Sequence, residues 1–127
     1  MKKYIYIGLG GALGAILRFI IRAIPALQGS NFPVNTLIIN LTGSFLLGLV
    51  LTYAYETDNI SAELRLGIAT GFIGAFTTFS TLCKETVTLG MTGFLSLALI
   101  YVAVSLLGGL LMAYGGIVSA RTVFIRK

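Results

Sequence analysis

Apolar positions along this 127-residue chain gather into four long runs, from about Tyr4 to Ala26, 33 to 55, 64 to 89 and 94 to 118. A helix needs about 20 residues to cross a hydrocarbon core, so each run is long enough to span a membrane. The few polar and small residues inside the runs recur at three-and-four spacing, which puts them on single helix faces. In the first run Gly10 and Gly14 lie four apart, so another backbone can approach that face, and Arg18 follows one turn later. Such an arginine has two readings. It snorkels to the headgroups, or it faces an aqueous vestibule where its charge attracts anions.

Phe32-Pro33 opens the second run, with the proline expected in the first helical turn, where its missing N–H costs nothing. Thr36, Asn40, Gly43 and Ser44 then form one polar, small-residue seam on an otherwise apolar helix. The seam reads either as glue between helices or as the lining of a pathway in which the Asn40 amide donates to an anion. In the fourth run Tyr101, Ser105 and Gly109 repeat every four residues, and Gly108, Gly109, Gly115 and Gly116 permit tight packing.

The third run is written differently. Its stretch Gly71 to Glu85, GFIGAFTTFSTLCKE, places glycines, two pairs of hydroxyl residues, a lysine and a glutamate inside an apolar segment. Hydrocarbon supplies no water to partner freed backbone groups, so an interrupted helix at this depth survives only where protein or a water-filled cavity satisfies it. Lys84 and Glu85 are adjacent and are not expected to face each other, whereas Glu85 shares a face with Thr81 and Thr77. Asn40, Thr78, Ser80, Thr81, Tyr101 and Ser105 together are expected to form a file of donors, which suits an anion that must shed water without being gripped too tightly. Phe79 fits either as packing or, edge-on, as a weak anion contact through the positive rim of its ring.

Composition narrows the functional classes. The chain is 57% hydrophobic with a mean hydropathy of +0.97, too apolar for a soluble domain of this size. Its net charge of +5 comes from basic residues at the chain ends and span flanks, which is a membrane pattern and not a nucleic-acid stripe. One cysteine, Cys83, and no histidine argue against a disulfide within the chain and against zinc, haem or iron–sulfur chemistry. No nucleophile–base pair, phosphate loop or paired carboxylate is present, so an enzyme is not expected. Lys2 and Lys3 ahead of an apolar run resemble a signal peptide, but Arg18 and Arg22 interrupt that run, so it is expected to stay as a span. Glu56, Asp58, Asn59, Ser61, Glu63 and Arg65 read as a solvated turn between spans. Lys2, Lys3, Arg65, Arg121, Arg126 and Lys127 share the side of the termini, against Arg22 and Lys84 on the other, which favours cytoplasmic termini.

These segments closely resemble the Fluc (CrcB-type) fluoride channels. The resemblance rests on Gly71 to Glu85, on GGALGAILRF at Gly10 to Phe19, on NTLIINLTGSFLLG at Asn35 to Gly48, and on Tyr101 with Ser105, so it covers all four runs in order. It implies an all-α membrane protein of four transmembrane helices per subunit, the third broken mid-membrane, assembled as an antiparallel, dual-topology homodimer in the cell inner membrane. It further implies passive fluoride export that protects against fluoride toxicity, through two pores at the dimer interface. Fluoride would pass Asn40, Phe79, Ser80, Thr81, Tyr101 and Ser105, with Arg18 near the mouth and Glu85 on the polar track. A structural sodium ion (Na+) would be held by the backbone carbonyls of Gly74 and Thr77. Three positions depart from the family pattern: Leu82 replaces a second phenylalanine, Ala75 a glycine at the break, and Gly109 a serine. Leu82 and the uneven charge leave a heterodimer with a related subunit as an alternative. A proton-coupled exporter of the small multidrug resistance type is the other, although its coupling glutamate has no counterpart in the first run. A non-transporting packing subunit would explain the glycines but not the donors.

Overall fold

The computed structural model describes residues 1–24, 31–57 and 59–125. The expected end of the first span at Pro25 and Ala26, the polar stretch 28–30, Asp58, and the terminal Arg126 and Lys127 lie outside the described residues. Those described are helical and organised as four rods. α1 covers Lys2–Arg22 and α2 covers Val34–Thr57. The third rod begins as α3, Ala62–Leu66, continues through a π-helical stretch, Gly67–Ile73, and the single turn of α4, Gly74–Phe76, and resumes as α5, Phe79–Met91. α6 covers Leu95–Ser119 and winds on as a π-helical end, Ala120–Ile125. All four rods are long and apolar enough to cross a membrane.

Boundaries follow local chemistry. Pro33 is not inside the first turn of α2 as expected; it sits just before it, and its carbonyl accepts the first helical bond from Leu37 N–H at 3.2 Å. Ser61 caps α3 by accepting from Leu64 N–H. α5 ends where Gly93 takes a positive φ of 89°, which lets Phe94 N–H return to the Leu89 carbonyl at 2.9 Å.

The rods associate as two close pairs. In the first, α1 lies on the π-helical stretch, where a Cβ on Gly10 would strike Gly67 O and one on Gly14 would strike Phe72 O and Phe76 N. In the second, α2 lies on α6, where a Cβ on Gly48 would strike Ala113 O and one on Gly116 would strike Phe45 O. Lipid tails are as apolar as leucine, so helices in a membrane gain little from burying apolar surface against one another. Close van der Waals contact between backbones is the available substitute, and small residues are its requirement.

Glu56 and Arg65 do more than sit in a solvated turn. Arg121 donates to Glu56 Oε1 from both Nε, at 2.8 Å, and an Nη, at 2.6 Å, tying the end of α2 to the end of α6. The Arg65 guanidinium lies 4.2 Å from the centre of the Tyr55 ring. A sequence shows that these charges sit between spans, but not that α6 ends beside them.

Candidate functional site

Thr77 and Thr78 are where the third rod stops being helical. Thr77 has φ −75° and ψ 160°, and Thr78 has φ −149° and ψ 117°, both extended. An extended residue misdirects the N–H groups that a continuous helix would aim back at the carbonyls of the preceding turn. Asn40 of α2 meets one of them. Its Oδ1 accepts from Thr78 N–H at 2.8 Å while its Nδ2 donates to Thr78 O at 3.0 Å, a reciprocal clamp on one peptide residue. Thr78 Oγ1 meets another, accepting from Thr81 N–H at 3.3 Å as the cap of α5 and donating to Thr81 Oγ1 at 2.9 Å. In an unbroken helix Thr78 N–H would go to Gly74 O and Thr81 N–H to Thr77 O. Arg18 reaches the same place from α1, its Nη1 donating to Thr77 O at 3.4 Å. Beside these groups is an open depression of about 250 Å³ lined by Asn40, Gly43, Ser44, Thr77, Thr78 and Phe79, among others.

A second polar group lies further along α5. Both oxygens of Glu85 are engaged: Thr36 Oγ1 donates to Oε1 at 2.9 Å and Tyr101 OH donates to Oε2 at 2.8 Å. Thr36 and Tyr101 are fully buried, so α2, α5 and α6 meet through a carboxylate whose lone pairs are satisfied from two sides. The Phe32 ring stands edge-on to Tyr101 with centroids 5.4 Å apart, closing that end. Ser105, one turn beyond Tyr101 on α6, has a buried Oγ with no hydrogen-bond partner among the described residues.

Comparison with known proteins shows the family of the chain. Residues 5–117 match the model of the family described as CrcB-like protein, Camphor Resistance (CrcB). The chain belongs to the CrcB family. A CrcB relative from Desulfitobacterium hafniense, named "Fluoride-specific ion channel FluC 1", is 47% identical over 87% of this chain and 96% of its own. One from Moorella thermoacetica with the same name is 44% identical over 93% of this chain and 85% of its own. A Thermus thermophilus relative, "Fluoride-specific ion channel FluC", is 44% identical over 91% and 93%. CrcB relatives are thus named as ion channels and not as enzymes.

Against this CrcB chain's sequence, the expected donors divide into two groups. Asn40, Phe79, Ser80 and Thr81 gather with Thr78 around the extended residues; Tyr101 and Glu85 form the second group with Thr36; Ser105 adjoins that one along α6. Within the single chain these groups form two hydrogen-bonded clusters about one helical turn apart along α5. Nor is Asn40 a free donor, because one of its two amide hydrogens is spent on Thr78 O. Phe79 is 78% exposed, on the outer face of the chain at the rim of the depression. Arg18 is half-buried, and its Nη1 reaches the Thr77 carbonyl. Lys84 and Glu85, although adjacent, line one depression of about 230 Å³ with Asn31, Pro33, Thr88 and Leu89. Thr36 is the hydrogen-bond partner of Glu85 that sequence reasoning placed only on a seam. Its signal was there, one turn before Asn40 on the same face, but nothing local said that the face would meet α5.

Proposed function

We propose that this chain is a fluoride-selective channel that lets fluoride leave the cell down its gradient and so limits its toxicity. The observation that carries the reading is the convergence of hydroxyl and amide donors from three spans, on a chain whose relatives are named fluoride-specific ion channels over nearly their whole length. Fluoride is small and strongly hydrated, and leaves water only where donors replace its shell. Ser80, Thr81 and Ser105 are hydroxyls able to turn toward an ion, Asn40 retains a second amide hydrogen, and Phe79 offers a ring edge. Tyr101 has a single proton and gives it to Glu85, so it reaches an anion only as that bond opens.

The assembly belongs to the same proposal: an antiparallel homodimer of dual topology in the cell inner membrane, with two pores along its interface. An exposed Phe79 beside an open, largely apolar depression into which Asn40, Thr77 and Thr78 bring polar groups is what a pore wall completed by a second subunit would look like in one subunit alone. The Gly74 and Thr77 carbonyls suit a central sodium ion, Thr77 O having a second lone pair beside its 3.4 Å contact from Arg18 Nη1. The N–H groups that would otherwise occupy them are drawn off by Asn40 Oδ1 and Thr78 Oγ1, and a hard cation takes oxygen ligands. Two carbonyls from one chain leave a cation's shell incomplete, and two more from a partner would extend it. Bound there, the ion would supply positive charge and lock the two extended segments together.

A heterodimer remains the second reading, favoured by the excess of basic residues on the side of the termini. Fluoride efflux from liposomes holding only this purified chain, with no proton gradient, separates the readings. Rapid efflux is expected. Efflux only with a proton gradient means an exporter, and none at all without a related subunit means a heterodimer.

A further inference from the structure

The side of the bundle away from the chain ends carries a feature that the pathway described above does not use. Lys84 and Glu85 both face the 230 Å³ depression formed with Asn31, Pro33, Thr88 and Leu89. Asn31 and Pro33 immediately precede α2, so this depression opens at the end of the bundle opposite Met1. Its two charged walls are not equivalent. Glu85 is half-buried and turned inward, with both carboxylate oxygens taken by Thr36 and Tyr101 from α2 and α6. Lys84 is exposed and makes no ion pair with Glu85 or with any other described residue. Its backbone carbonyl accepts from Thr88 Oγ1 at 2.9 Å, and its ammonium group, on a flexible stem, is the positive charge lining the depression.

We propose that this depression is an anion-collecting vestibule and that Lys84 is its recruiting charge, raising local fluoride concentration at the threshold of the Glu85–Tyr101–Ser105 row. The inference rests on the channel reading. A carboxylate at the end of an anion path would by itself repel the ion; a lysine on the next residue, sharing the same cavity, offsets that repulsion where the ion arrives from water. Two unit charges about 6 Å apart in a water-like dielectric attract enough to raise local concentration about threefold. Such an effect is screened by salt, because the Debye length falls from about 30 Å at 0.01 M to about 3 Å at 1 M ionic strength.

The test is fluoride flux from liposomes holding the full chain, for wild type, Lys84→Gln, Lys84→Arg and Lys84→Glu. Each is measured at 0.01 M and at 1 M ionic strength (conditions about two Debye regimes apart), set with a salt of an impermeant anion. In dilute buffer Lys84→Gln is expected to conduct about threefold less than wild type, Lys84→Glu less again, and Lys84→Arg as much as wild type. At high salt the four should converge. Equal flux for Lys84→Gln and wild type in dilute buffer would overturn the proposal. A deficit of the same size at both salt concentrations would do so too, since it would mean a packing or lipid-anchoring role. Wild-type protein that passes no fluoride at all, with or without a related subunit, would instead sink the channel reading, and this inference with it.

Discussion

The third rod is two different structures on either side of Thr77. Upstream, from Gly67 to Phe76, it is held by backbone against backbone, with Gly10 and Gly14 of α1 admitting its carbonyls where any side chain would collide. Downstream, from Phe79 to Met91, it is held by side-chain hydrogen bonds: Thr78 to Asn40 at the start of α5, then Glu85 to Thr36 and Tyr101. Upstream contact tolerates little change of shape. Downstream contact tolerates shape change better and brings together the hydroxyl, amide and carboxylate side chains of three spans. The lesson is that a membrane protein with little hydrophobic drive between helices has two ways to bind them, and here each half of one rod uses one.

The largest expected effect breaks the upstream half. Gly14→Leu drives a side chain into Phe72 O and crowds Phe76 N, so a loss of about 3 kcal/mol, the upper end for overpacking, is expected, read as loss of monodisperse protein in detergent. Gly8→Ala is its control: nothing lies within 4 Å of the added methyl, and stability should be unchanged. Comparable yields for the two glycine variants would erase the contrast between the halves.

Next comes the hinge of the comparison. Asn40→Ala removes both arms of the Thr78 clamp and leaves a backbone N–H without its partner, at a cost of about 1–3 kcal/mol. Fluoride flux should vanish, and the thermal transition should fall as well. The clamp makes a stability loss part of the expectation. Phe79→Ile, by contrast, alters an exposed ring and should lose flux with the thermal transition unmoved. Parallel behaviour of these two variants would show that Asn40 is not structural.

Tyr101→Phe probes the downstream half by deleting one donor to Glu85. Interhelical hydrogen bonds in membranes average about 0.6 kcal/mol and reach about 1.7, so a modest fall in stability is expected beside a larger fall in flux. Smallest is Glu56→Gln, which removes an exposed ion pair with Arg121 that belongs to neither half. It should cost under about 1 kcal/mol and leave fluoride flux untouched.

Much of this was legible in the residues. The glycine spacing of α1, the Thr36–Asn40–Gly43–Ser44 seam and the Tyr101–Ser105 repeat each identify one face of one helix, and the structure puts all three faces in contact with neighbours. Less legible were the pairings. Glu85 was grouped with Thr81 and Thr77 by its own helix, yet it bonds Thr36 and Tyr101. Asn40 was read as a possible free donor, yet Thr78 takes it in both directions. Arg18 reaches a carbonyl in a different rod.

Sequence by itself determined that this chain lives in a membrane as four helical rods, because hydropathy and three-and-four periodicity are properties of neighbouring residues. It also determined which residues carry polar chemistry, since a polar group within an apolar run stands out against its surroundings. Tertiary structure alone decided who meets whom. The deciding bonds join residues 38, 49 and 59 positions apart, and their geometry depends on how whole rods sit against one another. No local pattern contains that distance, so the same hydroxyl reads as glue or as a pathway until the opposite helix is in place.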